Sequence, residues 1–183
     1  MAGPSETSGR LAYRITSEAD ADNLVAALSE TKTSESIYWA PDPYTMADAA
    51  AWIARAGRGW LSKDEFLFSA FLKGTGDYVG SVNLHRKDDN EAEIGYWVMS
   101  EFQGQGIATE MVSFIIAFCA ANMPVAHLYA TTDTRNVASQ RVLKANGFRK
   151  VAGIDIKAHD TPSRASFVFT RAMESAGRHQ DAD

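Results

Sequence analysis

The densest chemical signal in the chain lies between Gly95 and Thr109, a run that reads Gly-Tyr-Trp-Val-Met-Ser-Glu-Phe-Gln-Gly-Gln-Gly-Ile-Ala-Thr. A strand pattern runs into a glycine-rich turn, and the last glycine, Gly106, opens an apolar helix. The unpaired amides at a helix start converge at positive dipole potential, so this turn is suited to an anion, above all a phosphate. Two nucleotide-binding patterns fail here. The turn lacks the Lys-Ser/Thr pair of a Walker A loop, and Thr109 stands where a dinucleotide fingerprint has its third glycine. The preceding strands read as a meander rather than as the first strand of a βαβ unit. Glycine at 104 and 106 keeps side chains from separating the backbone and the anion.

The same turn spells Gln103-x-x-Gly106-x-Ala108, and a second block follows after the next strand pattern. That block runs from Asn136 through Ser139, Arg141, Val142 and Leu143 to Gly147-Phe148. Together the two resemble the GCN5-related N-acetyltransferase (GNAT) superfamily, whose marks are Gln/Arg-x-x-Gly-x-Gly/Ala and an Asn-x-x-Ser helix ending in Gly-Phe. The resemblance extends over nearly the whole ordered chain. Ile94-Gly95-Tyr96-Trp97 with Asn136-x-x-Ser139-x-Arg141-Val142-Leu143 is most similar to the branch that contains ribosomal-protein N-terminal acetyltransferases.

The resemblance implies an α+β fold: a central, mostly antiparallel mixed sheet with splayed central strands, flanked by helices. It implies transfer of the acetyl group of acetyl-CoA to a primary amine in a ternary complex, with the α-amine of a protein or peptide as acceptor and no metal. Val98 and Met99 would pair their main chain with pantetheine, as an added strand does, and one of their N–H groups would polarise the thioester oxygen. Gln103, Gly104, Gln105, Gly106, Ile107, Ala108 and Thr109 would hold the pyrophosphate through backbone amides. Asn136 would bond the pantetheine region and Ser139 the departing sulfur. Asn136 is equally an N-cap, and the two roles are compatible. Leu143 stands where many relatives carry a tyrosine acid, which leaves Ser139 as the candidate. Small-molecule amines such as antibiotics or polyamines are an alternative acceptor class. A non-catalytic acyl-CoA sensor is another reading, although such a sensor has no need of Glu93 and Ser139.

Glu93 is the candidate base, because it lies on the strand that ends at the thioester and shares a face with Gly95 and Trp97. Its alternative reading is a solvated strand residue paired with a nearby Lys or Arg. His85 is the second choice. Trp39, Tyr44, His85 and Trp97 are candidate walls of the acceptor site, with the alternative that the aromatic residues serve the core, as aromatic residues more often do. Cys119, on an apolar helix, reads as a packing residue rather than a nucleophile.

These residues need one domain to position them. The chain has 183 residues, 45% apolar and 22% charged, in the range of an ordinary globular domain. A net charge of -5 argues against binding nucleic acid through its phosphates. A single cysteine excludes an intramolecular disulfide, and with no signal or membrane-spanning stretch the expectation is a cytoplasmic protein without membrane partners. A homodimer is left open. Residues 1–9 and 174–183 read as disordered tails around a domain at 10–173.

Leu11 to Ile15 reads as a strand, and Ser17 with Asp20 opens a helix through Leu28. Thr31 to Tyr44 reads as an aromatic loop. Thr45 with Asp48 opens a second helix, expected to stop near Gly57 and Gly59. Phe66–Leu72, Tyr78–His85 and Ala92–Met99 form the meander. Ile107–Asn122 is a helix apolar on more than one side, Val125–Thr131 a buried strand and Asn136–Ala145 a helix. Phe148–Ile156 and Ser166–Arg171 close the sheet.

Overall fold

The structure is a computed structural model that describes residues 6–29, 40–156 and 164–173. The strands are β1 (Glu6–Thr7), β2 (Leu11–Ile15), β3 (Glu65–Leu72), β4 (Tyr78–Arg86), β5 (Glu91–Val98), β6 (His127–Asp133), β7 (Arg149–Ile156) and β8 (Arg164–Ala172). They form one eight-stranded sheet in the order β1-β2-β3-β4-β5-β6-β8-β7. Among the described residues the α-helices are α1 (Ala21–Ser29), α2 (Met46–Ser62), α3 (Ile107–Asn122) and α4 (Val137–Ala145). This is the expected mixed sheet, antiparallel except where β5 and β6 run parallel across the α3 crossover.

Strand alternation sorts the side chains into two cores. Residues Glu65 to Ala70 of β3 are all buried, because helices cover both faces of the sheet there. Phe66, Phe68, Leu84 and Ile94 face α3 with Met111, Ile115 and Phe118, whereas Leu67 and Trp97 face α1 and α2 with Leu24, Tyr44 and Trp52. A fully buried Leu or Phe contributes roughly 1.5–3 kcal/mol. The α3 helix is apolar nearly all round because it is buried on more than one side: Ile107, Met111, Val112, Phe114, Ile115, Phe118 and Cys119 are all inside.

Three elements depart from the sequence reading. The α2 helix runs past Gly57 and Gly59 to Ser62 and ends at Lys63, which is left-handed with φ 62°. A mid-helix glycine costs about 1 kcal/mol against alanine, but a Cβ at Gly59 would lie 2.5 Å from that of Glu65, so the glycine lets α2 pack onto the start of β3. The β6 strand begins at His127 and continues to Asp133, because β8 supplies partners as far as the Asp133–Ser166 pair. Finally, the segment read as a tail up to Gly9 contributes β1, whose Glu6 and Thr7 pair with Tyr13 and Ala12.

The decisive feature is where pairing stops. β5 and β6 are registered only at Glu91–His127, Ala92–Leu128 and Glu93–Tyr129. Beyond Glu93 the strands part, and the β6-facing edge of Ile94–Val98 opens into a gap.

Candidate active site

A cleft of about 700 Å³ passes through that gap, from Trp52, Arg55 and Glu65 on one side of the sheet to Gly104, Gly106 and Ser139 on the other. Its volume lies in the range of small-molecule and cofactor sites. Of the residues singled out in the sequence, Glu93, His85, Trp97, Val98, Gln103, Gly104, Gly106, Ile107, Ala108, Thr109, Asn136 and Ser139 line it. Trp39 lies outside the described residues.

The glycine turn has the backbone that an anion cradle requires. Gly104 and Gly106 are left-handed, at φ 74° and 81°, a region that L side chains enter at a cost of roughly 1–2 kcal/mol. A Cβ at Gly104 would meet nothing within 4 Å, and one at Gly106 would meet only the Arg10 guanidinium at 3.6 Å. Gly106 is the N-cap of α3 and has no side chain to satisfy the first-turn amides. Arg10 Nη2 donates to the Gln105 carbonyl at 3.0 Å and tethers the turn to the first strands. The Gln105 side chain turns away, donating to the Glu101 carbonyl at 3.0 Å, and Gln105 does not line the cleft.

The edge of β5 corrects one expectation. Met99 donates its N–H to the Val79 carbonyl at 2.9 Å, and its own carbonyl accepts from the Phe102 amide at 2.9 Å. Both main-chain groups of Met99 are therefore committed within the fold, and Met99 is not among the cleft residues. Alternation along the strand turns Val98 the other way, toward the gap. There the Gln103 side-chain amide donates to the Val98 carbonyl at 3.0 Å, so a ligand that pairs with this carbonyl must displace or share that contact.

At the Glu65 end of the cleft, His85 lies opposite Glu65 on one neighbour and Glu93 on the other, so the three residues form a row across β3, β4 and β5. The Glu93 carboxylate receives Lys87 Nζ at 2.6 Å and the Thr131 hydroxyl at 3.4 Å. Glu65 is held by Arg55 at 3.0 Å and by the Trp52 indole at 3.4 Å. Trp52 and Trp97 pack at 5.3 Å between ring centroids. Tyr44, expected as a wall, instead sits in the core between α1 and α2 at 4% exposure, and burial pushes its phenol up to about 12. Trp52, Arg55, Glu65 and Asn83 were not singled out in the sequence. Gly95 was the available hint for Asn83, since a Cβ there would lie 2.5 Å from Asn83 Oδ1.

On the other side, Asn136 Oδ1 accepts from the Ser139 amide at 3.0 Å and caps α4. Ser139 Oγ lies 2.9 Å from the Tyr96 phenol oxygen. Leu143 is fully buried. Cys119 is also fully buried, and burial pushes its thiol up to about 11, which removes it from nucleophilic chemistry. An open glycine cradle, an unpaired strand edge and a cleft of this size together fit a long donor that carries a pyrophosphate at one end and a reactive group at the other.

Comparison with known proteins gives the same reading. The sequence is similar to the uncharacterized N-acetyltransferase YoaA of Bacillus subtilis strain 168, with 24% identity over 149 residues, 80% of this chain and 84% of YoaA. Among solved structures, the fold matches RimL, the ribosomal L7/L12 alpha-N-protein acetyltransferase in complex with coenzyme A. The TM-score is 0.82 at 16% identity, covering 96% of this chain and 99% of that one. It also matches the microcin C7 self-immunity acetyltransferase MccE, solved with acetyl-CoA and AMP. There the TM-score is 0.77 at 16% identity, covering 90% and 93% of the two chains. The model of the acetyltransferase (GNAT) domain matches residues 10–149, from the residue before β2 to the first residue of β7. With both halves of the cleft inside that span, the chain belongs to the GNAT family and is an acetyl-CoA-dependent N-acetyltransferase.

Proposed function

We propose that this enzyme acetylates the N-terminal α-amine of a protein or peptide by direct attack in a ternary complex. The observation that carries the reading is the position of Glu93 and Ser139: both line one continuous cleft, at opposite sides of the point where β5 and β6 part. Acetyl-CoA supplies an activated acetyl thioester. The amides of the Gly104–Thr109 turn hold its pyrophosphate, and the open edge at Val98 takes the pantetheine arm. The amide nitrogen of Asn136 supports the same arm while its oxygen caps α4. Glu93 accepts the proton of the incoming amine, directly or through water, with His85 opposite it in the row. Ser139 offers its hydroxyl to the departing sulfur.

The preference for an α-amine rests on the branch resemblance and on the likeness to RimL, whose acceptor is a ribosomal protein. The likeness to MccE keeps a small-molecule amine as the second reading. Free-thiol release from acetyl-CoA, measured across N-terminal peptides, polyamines and aminoglycosides, separates the two. Turnover is expected with peptides that carry a free α-amine and not with their N-acetylated forms. Turnover confined to aminoglycosides or polyamines would establish the second reading.

A further inference from the structure

Tyr96 lies on β5 beyond the last pair with β6, on the face it shares with Ile94 and Val98, which is the face of α3 and α4. Its phenol oxygen reaches the first turn of α4, 2.9 Å from Ser139 Oγ and 3.3 Å from the Ser139 carbonyl oxygen. Both residues line the cleft. One turn further along α4 the cleft wall is Leu143, apolar and fully buried, whereas at Ser139 the helix carries a hydroxyl in contact with the Tyr96 phenol.

A serine hydroxyl has one proton and two lone pairs. In the first turn of a helix that proton can turn back to a main-chain carbonyl, which would withdraw it from the cleft. A phenol that donates to Oγ occupies one lone pair and leaves the serine proton to point elsewhere. Two hydroxyls in series also polarise each other, so the outer one becomes the better donor. We propose that Tyr96 is a positioning residue: its phenol donates to Ser139 Oγ and keeps the serine hydroxyl directed at the leaving sulfur.

This deepens the proposed function and rests on it. In the transfer, a bond forms between the acceptor nitrogen and the acetyl carbon while the carbon–sulfur bond breaks. The sulfur keeps the electron pair and the nitrogen's proton leaves on the Glu93 side. Ser139 stabilises the thiolate by a hydrogen bond, and Tyr96 keeps its own proton throughout. Burial pushes the phenol up to about 12 against the opposing hydrogen bond with Ser139, so it keeps a proton to donate across the assay range.

The test uses coenzyme A itself and needs no acceptor. The ionisation of its thiol when bound is followed by thiolate absorbance in the wild type, in Tyr96→Phe, in Ser139→Ala and in the double variant. The expected result is a bound thiol that ionises at lower pH in the wild type than in either single variant, with the double variant no different from Ser139→Ala. Turnover should fall about tenfold in Tyr96→Phe, the effect of one lost hydrogen bond, with the KM for acetyl-CoA nearly unchanged. An unchanged bound thiol in Tyr96→Phe, or losses that multiply in the double variant, overturns the proposal. Should Tyr96→Phe not fold, 3,5-difluorotyrosine at 96 keeps the packing and makes the phenol more acidic. It must then add an alkaline limb to the rate where the phenol ionises, and its absence overturns the proposal equally. Failure to find any acetyl acceptor would count against the proposed function while leaving the thiol titration readable.

Discussion

Lys87 Nζ lies 2.6 Å from Glu93 Oε2, so this cleft-lining carboxylate is already half of an ion pair. The lysine and glutamate side chains are 45% and 30% exposed, and an exposed pair of this kind contributes little to stability. Its effect is on orientation. With Thr131 on the other oxygen, the carboxylate is held from two directions, and its remaining lone pairs are still available for a proton. The reading of Glu93 as a strand residue paired with a lysine is thus what the fold contains, and such a pairing leaves room for the proposed role as base.

Glu93→Gln is therefore expected to lower kcat by about a hundredfold, in the range for loss of a positioned base, with the affinity for acetyl-CoA unchanged. Lys87→Met should change kcat by less than about tenfold, because Thr131 still orients the carboxylate. Steady-state kinetics with the acceptor from the peptide panel checks both. A Glu93→Gln enzyme with the wild-type rate would move the base to His85 or to water.

Gly106→Val should abolish coenzyme A binding in a protein that still folds. The left-handed backbone, φ 81°, costs an L residue roughly 1–2 kcal/mol, yet the space around the new side chain is open apart from the Arg10 guanidinium. A side chain there stands between the first-turn amides and the pyrophosphate. Titration calorimetry of coenzyme A, with circular dichroism as the fold control, reads the outcome; unchanged affinity in a folded variant would remove the turn from the donor site.

Cys119→Ala should keep activity within a few-fold of wild type and lose about 1 kcal/mol of stability from the small void left in the core. The thiol is fully buried with its ionisation pushed up to about 11, so it cannot act as a nucleophile near neutral pH. Trapping of radiolabelled acetyl on Cys119 after rapid quench would contradict direct transfer.

What was legible in the sequence divides by the range of the interaction that decides it. The α3 helix from Ile107 to Asn122, the Thr45–Asp48 capping box and the Asn136 cap of α4 are set by neighbours within one turn, and each was readable. The left-handed turn at Gly104 and Gly106 was readable because the backbone that needs glycine there is local. The reach of α2 beyond Gly57 and Gly59 was not, since it depends on contact with Glu65 on the next strand. Met99 was misassigned because its direction depends on pairing with Val79, a register the strand pattern leaves open by one residue. Tyr44 has the composition of a pocket wall but the position of a core residue between two helices. The Tyr96–Ser139 contact joins residues 43 apart, and no spacing rule reaches that far.

The first strands are tied to α3 by one carboxylate, and this makes stability depend on pH. Glu110 Oε1 accepts from Ser8 Oγ at 2.8 Å and from the Arg10 and Leu11 amides at 2.8 and 3.1 Å, while Oε2 meets Arg10 Nε at 3.3 Å. Burial pushes the Glu110 carboxyl up, but these hydrogen bonds together outweigh it and hold the group below the ordinary carboxylate range. A carboxylate whose ionisation is lowered on folding stabilises the native state at every pH above its unfolded value, and that contribution is lost as the pH falls through the folded value. Glu110→Ala leaves two main-chain amides without their acceptor, so it should cost about 1–3 kcal/mol near neutral pH. In urea titrations the difference from wild type should be constant from pH 7 down to the ordinary carboxylate range and then shrink on further acidification. The same variant releases Arg10, which holds the Gln105 carbonyl, so coenzyme A affinity should fall with stability. A stability difference that stays constant down to pH 3 would show that Glu110 does not carry the pH dependence, and tight coenzyme A binding in the variant would show that the Arg10 contact with the Gln105 carbonyl does not support the donor site.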